Sequence, residues 1–222
     1  MQSNESNNKQ TETADLPLKW YEIGGDNPYN AEIFDIRGLT LNFVATTDNQ
    51  SVADNFVASR SSDGSQFQSI EIENAKEYAA DIVYPHNGIQ LHGAIYKADS
   101  MEVKWDIYAY DDWLYFVRSW TSELIYKVHF TNNLDSLVID KVITANIEKI
   151  ATTPDEKATL AAQNIHSMLQ THLMDGVWPY KIPEMMKGIP DKSIALHMFA
   201  QFGNKATIAT FANVLDIEYS ET

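Results

Sequence analysis

The sequence predicts an α+β fold: an antiparallel, curved β-sheet packed against one long α-helix over about 153–174. Three features carry this. Apolar and polar residues alternate with period two from Phe67 to Thr144, the repeat of a strand. The breaks in that pattern are short, at Pro85-His86-Asn87-Gly88, Ala98-Asp99-Ser100, Asp111-Asp112 and Thr131-Asn132-Asn133. Breaks of this length allow hairpins and leave no room for helical crossovers. A capped amphipathic segment then follows at 153–174.

In chain order, residues 2–14 are almost all Gln, Ser, Asn, Glu, Lys and Thr. They offer too little apolar surface to order themselves, so 1–15 is expected to be a disordered polar tail and 16–222 a single domain. Leu18 to Ile23 reads as a short strand, and Gly24-Gly25-Asp26-Asn27-Pro28 as a turn. Phe34, Ile36, Leu39, Leu41 and Phe43, interrupted by Gly38, predict two strand segments bent at the glycine. Residues 51–60 are short and fit neither period, and 61–65 form a loop. Ile70 and Ile72 alternate with Glu71 and Glu73; Ile89, Leu91 and Ile95 with Gln90, His92 and Tyr96; Val103, Trp105 and Ile107 with Lys104, Asp106 and Tyr108. Each run predicts a strand.

At 153–174, Thr153 serves as N-cap, Pro154 takes the first helical position and Glu156 closes a capping box. Ala158, Ala161, Ala162, Ile165, Met168, Leu169 and Leu173 share one face, and Gly176 marks the stop. Residues 178–183, with prolines at 179 and 183, read as an irregular segment against the sheet. Ile194, Leu196, Met198, Ala200 and Phe202 alternate and predict a strand. Gly203-Asn204 then reads as a turn, Ala206 to Ala212 as a further strand, and 214–219 as a last one.

Composition narrows the function. Acidic residues number 31 against 16 basic ones, a net charge of −15. That argues against a phosphate-binding groove on nucleic acid and against attachment to anionic lipid, and it suits a basic protein partner. No cysteine is present, so disulfides, iron–sulfur clusters, thiolate zinc sites and cysteine nucleophiles are excluded. No apolar stretch reaches transmembrane length and no signal peptide is legible, which predicts a cytoplasmic protein. The alternative is a cell-envelope lipoprotein whose start has been trimmed, since such polar tails follow lipidated cysteines.

No H-E-x-x-H, phosphate-binding glycine loop or G-x-S-x-G is present. No metal, no cofactor and no catalytic residue is therefore expected. Asp111-Asp112 sits where a hairpin tip faces water.

The richest segment is 105–130, with three tryptophans and a dense set of tyrosines. Leu114, Phe116, Arg118 and Trp120 share one face of a strand, and Trp113, Tyr115 and Val117 the other. Two apolar faces predict an interior strand covered on both sides. A buried Arg118 then needs a carboxylate or carbonyls. One reading is an internal ion pair with Trp120 stacked beside it. The other is an arginine that takes an anionic ligand in an aromatic pocket.

The string Trp113-x-Tyr115-x-x-Arg118-Ser119-Trp120-Thr121, followed by Ile125-Tyr126, resembles an R-S-W-T-G-x-x-I-Y pattern of small uncharacterised bacterial proteins. Ser122 stands where that pattern has glycine. The resemblance spans 113–130. It implies a bacterial origin and a strand–turn–strand there, and brings no activity or site residue with it.

Two functional expectations follow. The first is a non-enzymatic binding or inhibitor protein of the immunity type, acting on a basic protein. The alternative is a small-molecule-binding protein or enzyme whose pocket is lined by Arg118, Trp105, Tyr108, Trp113, Trp120 and His129. A sheet face left uncovered would serve as a homodimer surface.

Overall fold

The computed structural model describes residues 18–145, 147 and 149–219, so the expected polar tail lies outside the described residues. The chain begins with β1 (Lys19–Tyr21) and β2 (Ile33–Asp35), paired antiparallel. Gly24 and Gly25, both with positive φ, turn the chain between them. After β2 the expected second strand is instead a single turn of helix, α1 (Arg37–Thr40). The Asp35 carboxylate accepts from Arg37 N at 3.0 Å and the Thr40 hydroxyl donates to Ile36 O, both of which favour a turn over extension.

The ambiguous 51–60 region is a helix, α2 (Gln50–Ser59), capped by Asn49. Only Ser59 of it is buried, which explains the lack of a clear apolar stripe. A 3₁₀ turn at Ser65–Ser69 replaces the strand expected near Phe67, and 70–73 is not a strand either. Phe67 is drawn inward onto Tyr108, ring centres 5.3 Å apart, and its burial overrides the local alternation.

Six strands then follow: β3 (Lys76–Pro85), β4 (Gly93–Tyr96), β5 (Trp105–Tyr110), β6 (Trp113–Arg118), β7 (Leu124–Asn132) and β8 (Ser136–Thr144). They form one antiparallel sheet in the order β3-β8-β7-β6-β5-β4. The expected meander is present from β4 to β8, while β3 crosses to pair with β8. The predicted strand at 89–95 starts only at Gly93.

The capping box is formed as expected, and α3 (Pro154–Met168) continues as a π-helical turn at Leu169–Leu173. Short β9 (Tyr180–Lys181) follows. Then comes α4 (Asp191–Phe202), where a strand was expected, and β10 (Ile208–Thr210). At 214–219 there is a single pairing of Tyr219 with Tyr29 rather than a strand. The second sheet has the order β1-β2-β10-β9, with β9 and β10 parallel.

The large sheet is curved. Its two edge strands, β3 and β4, are joined by residues 86–92. The link follows the end of the sheet, with His86 N donating to Asp135 O and Asn132 Nδ2 to Ile89 O. One helix touches both edges. His166 on α3 bonds Tyr84 of β3 at 2.7 Å, and His172 in the π turn packs edge-on against Tyr96 of β4 at 4.9 Å. Register shifts in four of the five strand pairings supply the bend.

The concave face of the sheet carries the main core with α3, α4 and the small sheet. On β6, Leu114 and Phe116 point into it. Tyr115 and Val117 point to a second cluster with Phe67, Tyr108, Tyr110 and Leu124, so the strand is covered on both faces as expected. Among the described residues no helix is long and apolar enough to cross a membrane.

Candidate anion-binding site

Arg118 ends β6 directly opposite Trp105, the first residue of β5. Its guanidinium carbon stands 4.2 Å from the Trp105 ring centre. Nη1 donates to the main-chain carbonyl of Gln201 at 2.6 Å and Nη2 to the Gln201 side-chain oxygen at 3.2 Å. Trp105 Nε1 donates to the same carbonyl at 3.0 Å. The expected ion pair is therefore replaced by carbonyl contacts at the C-terminal turn of α4, where the helix dipole favours a cation. The stacking ring is Trp105, not Trp120.

Arg118 differs from the other two arginines. Arg37 meets Asp35 at 2.5 Å and Arg60 meets Asp106 at 2.6 Å. Among the described residues Arg118 makes no ion pair. Burial pushes its pKa down, against the opposing pull of Tyr126 and Glu123.

The turn after β6 brings a second cation beside it. Ser119 is tied to the incoming strand, its N donating to Lys104 O at 3.0 Å and its Oγ to Val103 O at 2.7 Å. The Trp120 ring then folds back, with Nε1 donating to Met101 O at 2.6 Å. Lys104 Nζ lies 4.0 Å from the Trp120 ring centre and 5.0 Å from that of Phe199, and donates to Met101 O at 2.9 Å. Burial, and next the nearby Arg118, lower its pKa to about 8, with Glu102 acting in the opposite sense.

Ser122, in the glycine position of the resembled pattern, has φ 55° and takes the left-handed conformation that glycine favours. Its hydroxyl accepts from Asn55 Nδ2 at 3.1 Å, and the same amide reaches Trp120 O, so α2 holds the turn.

Both cations face one cleft of about 650 Å³. Its walls are Trp120, Phe199 and Leu196, and its lip is the irregular segment 43–46, with Phe43 packed on Phe199 at 4.7 Å. Ala45 N holds that lip by donating to Glu102 Oε1 at 3.0 Å. Glu123 is the one carboxylate in the lining and is exposed at the rim. Val44 and Phe43 are 71% and 43% exposed, so the mouth is apolar. Two neighbouring cations with no carboxylate in contact among the described residues, inside aromatic walls, suit a carboxylate or phosphate carried on an apolar body.

Of the residues expected to line a pocket, Arg118, Trp105 and Trp120 come together. Tyr108, Trp113 and His129 lie on the opposite face of the sheet. Trp113 and His129 are cross-strand partners with rings 5.0 Å apart, and His129 Nδ1 lies 2.7 Å from Asp140 Oδ1. Tyr108 belongs to a polar knot on buried Asp106. That carboxylate takes both Arg60 nitrogens and Ala98 N, with Lys97 at 3.4 Å, and so ties the end of α2 to the sheet. Lys104, Phe199, Gln201 and the 43–46 lip were missed. The alternation could have flagged Lys104 as the polar residue beside Trp105, but reading 194–202 as a strand hid Phe199 and Gln201.

Among the described residues no group of three or more His, Asp or Glu is placed to hold a metal ion. Comparison of the chain with protein-family models, with curated proteins and with solved structures finds no match.

Proposed function

We propose that the protein binds a small anion with an apolar or aromatic body, taken into the cleft of Arg118 and Lys104. The observation that carries this reading is the partnering of the three arginines. Two meet carboxylates within 2.6 Å, while the third lines, with a lysine, an aromatic cleft and among the described residues has only amide oxygens as hydrogen-bond partners. In a chain with nearly twice as many acidic as basic residues, a carboxylate partner would be easy to supply. An incoming anion would supply the missing countercharge, and Trp120 and Phe199 would pack on its body.

The test is titration of the full chain with benzoate and with octanoate, followed by Trp fluorescence and calorimetry. One probe or both should bind and perturb the Trp signal. Arg118→Met should bind about ten- to hundredfold more weakly, the loss of a charge-assisted pair. No binding by either probe, or equal binding by Arg118→Met, overturns the proposal. The other reading, a non-enzymatic inhibitor of a basic protein, is supported by the net charge of −15.

A further inference from the structure

Lys104 is placed for more than charge balance. Its Nζ lines the cleft between two aromatic rings, with Arg118 in the same lining and no carboxylate in contact among the described residues. The charged groups facing it are Arg118, Glu102 behind the lip and Glu123 at the rim. The α4 face contributes only Leu196, Phe199 and Ala200, and the lip has no titratable side chain. A second cation close by, in apolar surroundings, is the arrangement that makes a lysine amine available as a nucleophile.

We infer that Lys104 condenses reversibly with the carbonyl of a 2-oxo acid whose carboxylate is held by Arg118. This rests on the anion-binding reading above and names the ligand class. The amine lone pair forms a C–N bond to the carbonyl carbon, and the carbonyl oxygen takes up two protons and leaves as water. Ammonium plus ketone thus becomes iminium plus water, balanced in atoms and charge, with no oxidant or reductant. The iminium keeps its positive charge beside the substrate carboxylate. With its pKa at about 8, about a tenth of the Lys104 population is neutral and nucleophilic at pH 7.

The experiment treats the full chain with pyruvate and sodium cyanoborohydride, which reduces the iminium to a stable secondary amine, and maps the label by peptide mass spectrometry. Label should concentrate on Lys104 and saturate with pyruvate. Acetone, which has the ketone without the carboxylate, should label it at least about tenfold more slowly. Arg118→Met should abolish that preference. Lys104→Arg keeps the charge and the stacking, so it should stay folded, as thermal unfolding will show, and lose the label. Label spread over exposed lysines such as Lys187, without enrichment at Lys104, overturns the inference. Benzoate binding separates the two failures. If benzoate binds while pyruvate leaves no label on Lys104, the cleft is a noncovalent anion site. If benzoate and octanoate both fail as well, the anion-binding reading itself is wrong.

Discussion

Position 118 sits on a core-facing row with Leu114 and Phe116, where an apolar side chain would carry no desolvation cost. Among the described residues the guanidinium there is compensated only by Trp105, a helix terminus and two amide oxygens. Replacing a poorly paired buried charge by a hydrophobe of similar length is often neutral, because desolvation offsets what the contacts contribute. Arg118→Met should therefore change stability by less than about 1 kcal/mol in urea denaturation, with the slope unchanged. Trp105 Nε1 still satisfies the Gln201 carbonyl in that variant. A loss above about 3 kcal/mol would mean that the arginine is chiefly a cap for α4. Ser122 makes the same point from the backbone. A non-glycine residue at φ 55° costs about 1 kcal/mol, and here its hydroxyl recovers a bond from Asn55.

At the scale of elements, α4 decides whether the cleft exists, because it brings Phe199 and Gln201 to β5 and β6. Its end is fixed by Gly203, at φ 74°, where a Cβ would lie 2.1 Å from the main-chain oxygen of Glu102. Backbone crowds that position, so no side-chain adjustment relieves it. Gly203→Ala should cost about 3 kcal/mol or more in urea denaturation and should weaken benzoate binding by moving Gln201 off Arg118. Wild-type stability with intact binding would show that the α4–β5 contact yields. The same helix shows where sequence reading fails. Residues 194–202 are apolar at nearly every position, so a period-two reading fits Ile194, Leu196 and Met198. The buried set is Ile194, Ala195, Met198, Phe199 and Phe202, which is helical. Gly203-Asn204 has the residue types of a hairpin turn, and Gly203 is instead a helix stop. By contrast α3 was legible, because Thr153, Pro154 and Glu156 announce its start independently of the apolar pattern. The hairpins from β4 to β8 were legible for a similar reason: local turns set their pairing. The β3–β8 pairing and the meeting of the cleft walls join residues far apart in sequence, and no local pattern encodes them.

At the scale of the whole molecule, α3 and the π turn that continues it meet both edges of the curved sheet through histidines. Burial pushes His166 down to about 4 and His172 down to about 3, and it also lowers His197 on α4. In the unfolded chain these groups take up protons near pH 6.5, whereas in the folded chain all three do so at lower pH, His166 only near 4 and His172 near 3. Between those values the unfolded state binds more protons, so stability must fall as pH falls. Above 6.5 their slope fades, to about a quarter of its full value at pH 7. The folded-state values of His166 and His172 set the lower limit of the window, from about pH 6.5 to about 4. Each histidine kept neutral by the fold removes up to about 1.4 kcal/mol per pH unit within it. The perturbed carboxyls, Glu102 and Glu184 among them, are held below their usual values and act only as pH drops under about 4.5. Urea unfolding at pH 7, 6 and 5 therefore isolates the histidines. The unfolding free energy should level off above about pH 7 and decline steeply toward 5. His172→Gln should cut the slope even if it lowers stability at pH 7, since slope and offset are read separately. A profile flat from pH 7 to 5 would mean that the histidines at the sheet edges are open to water, and that α3 does not seal the sheet in solution.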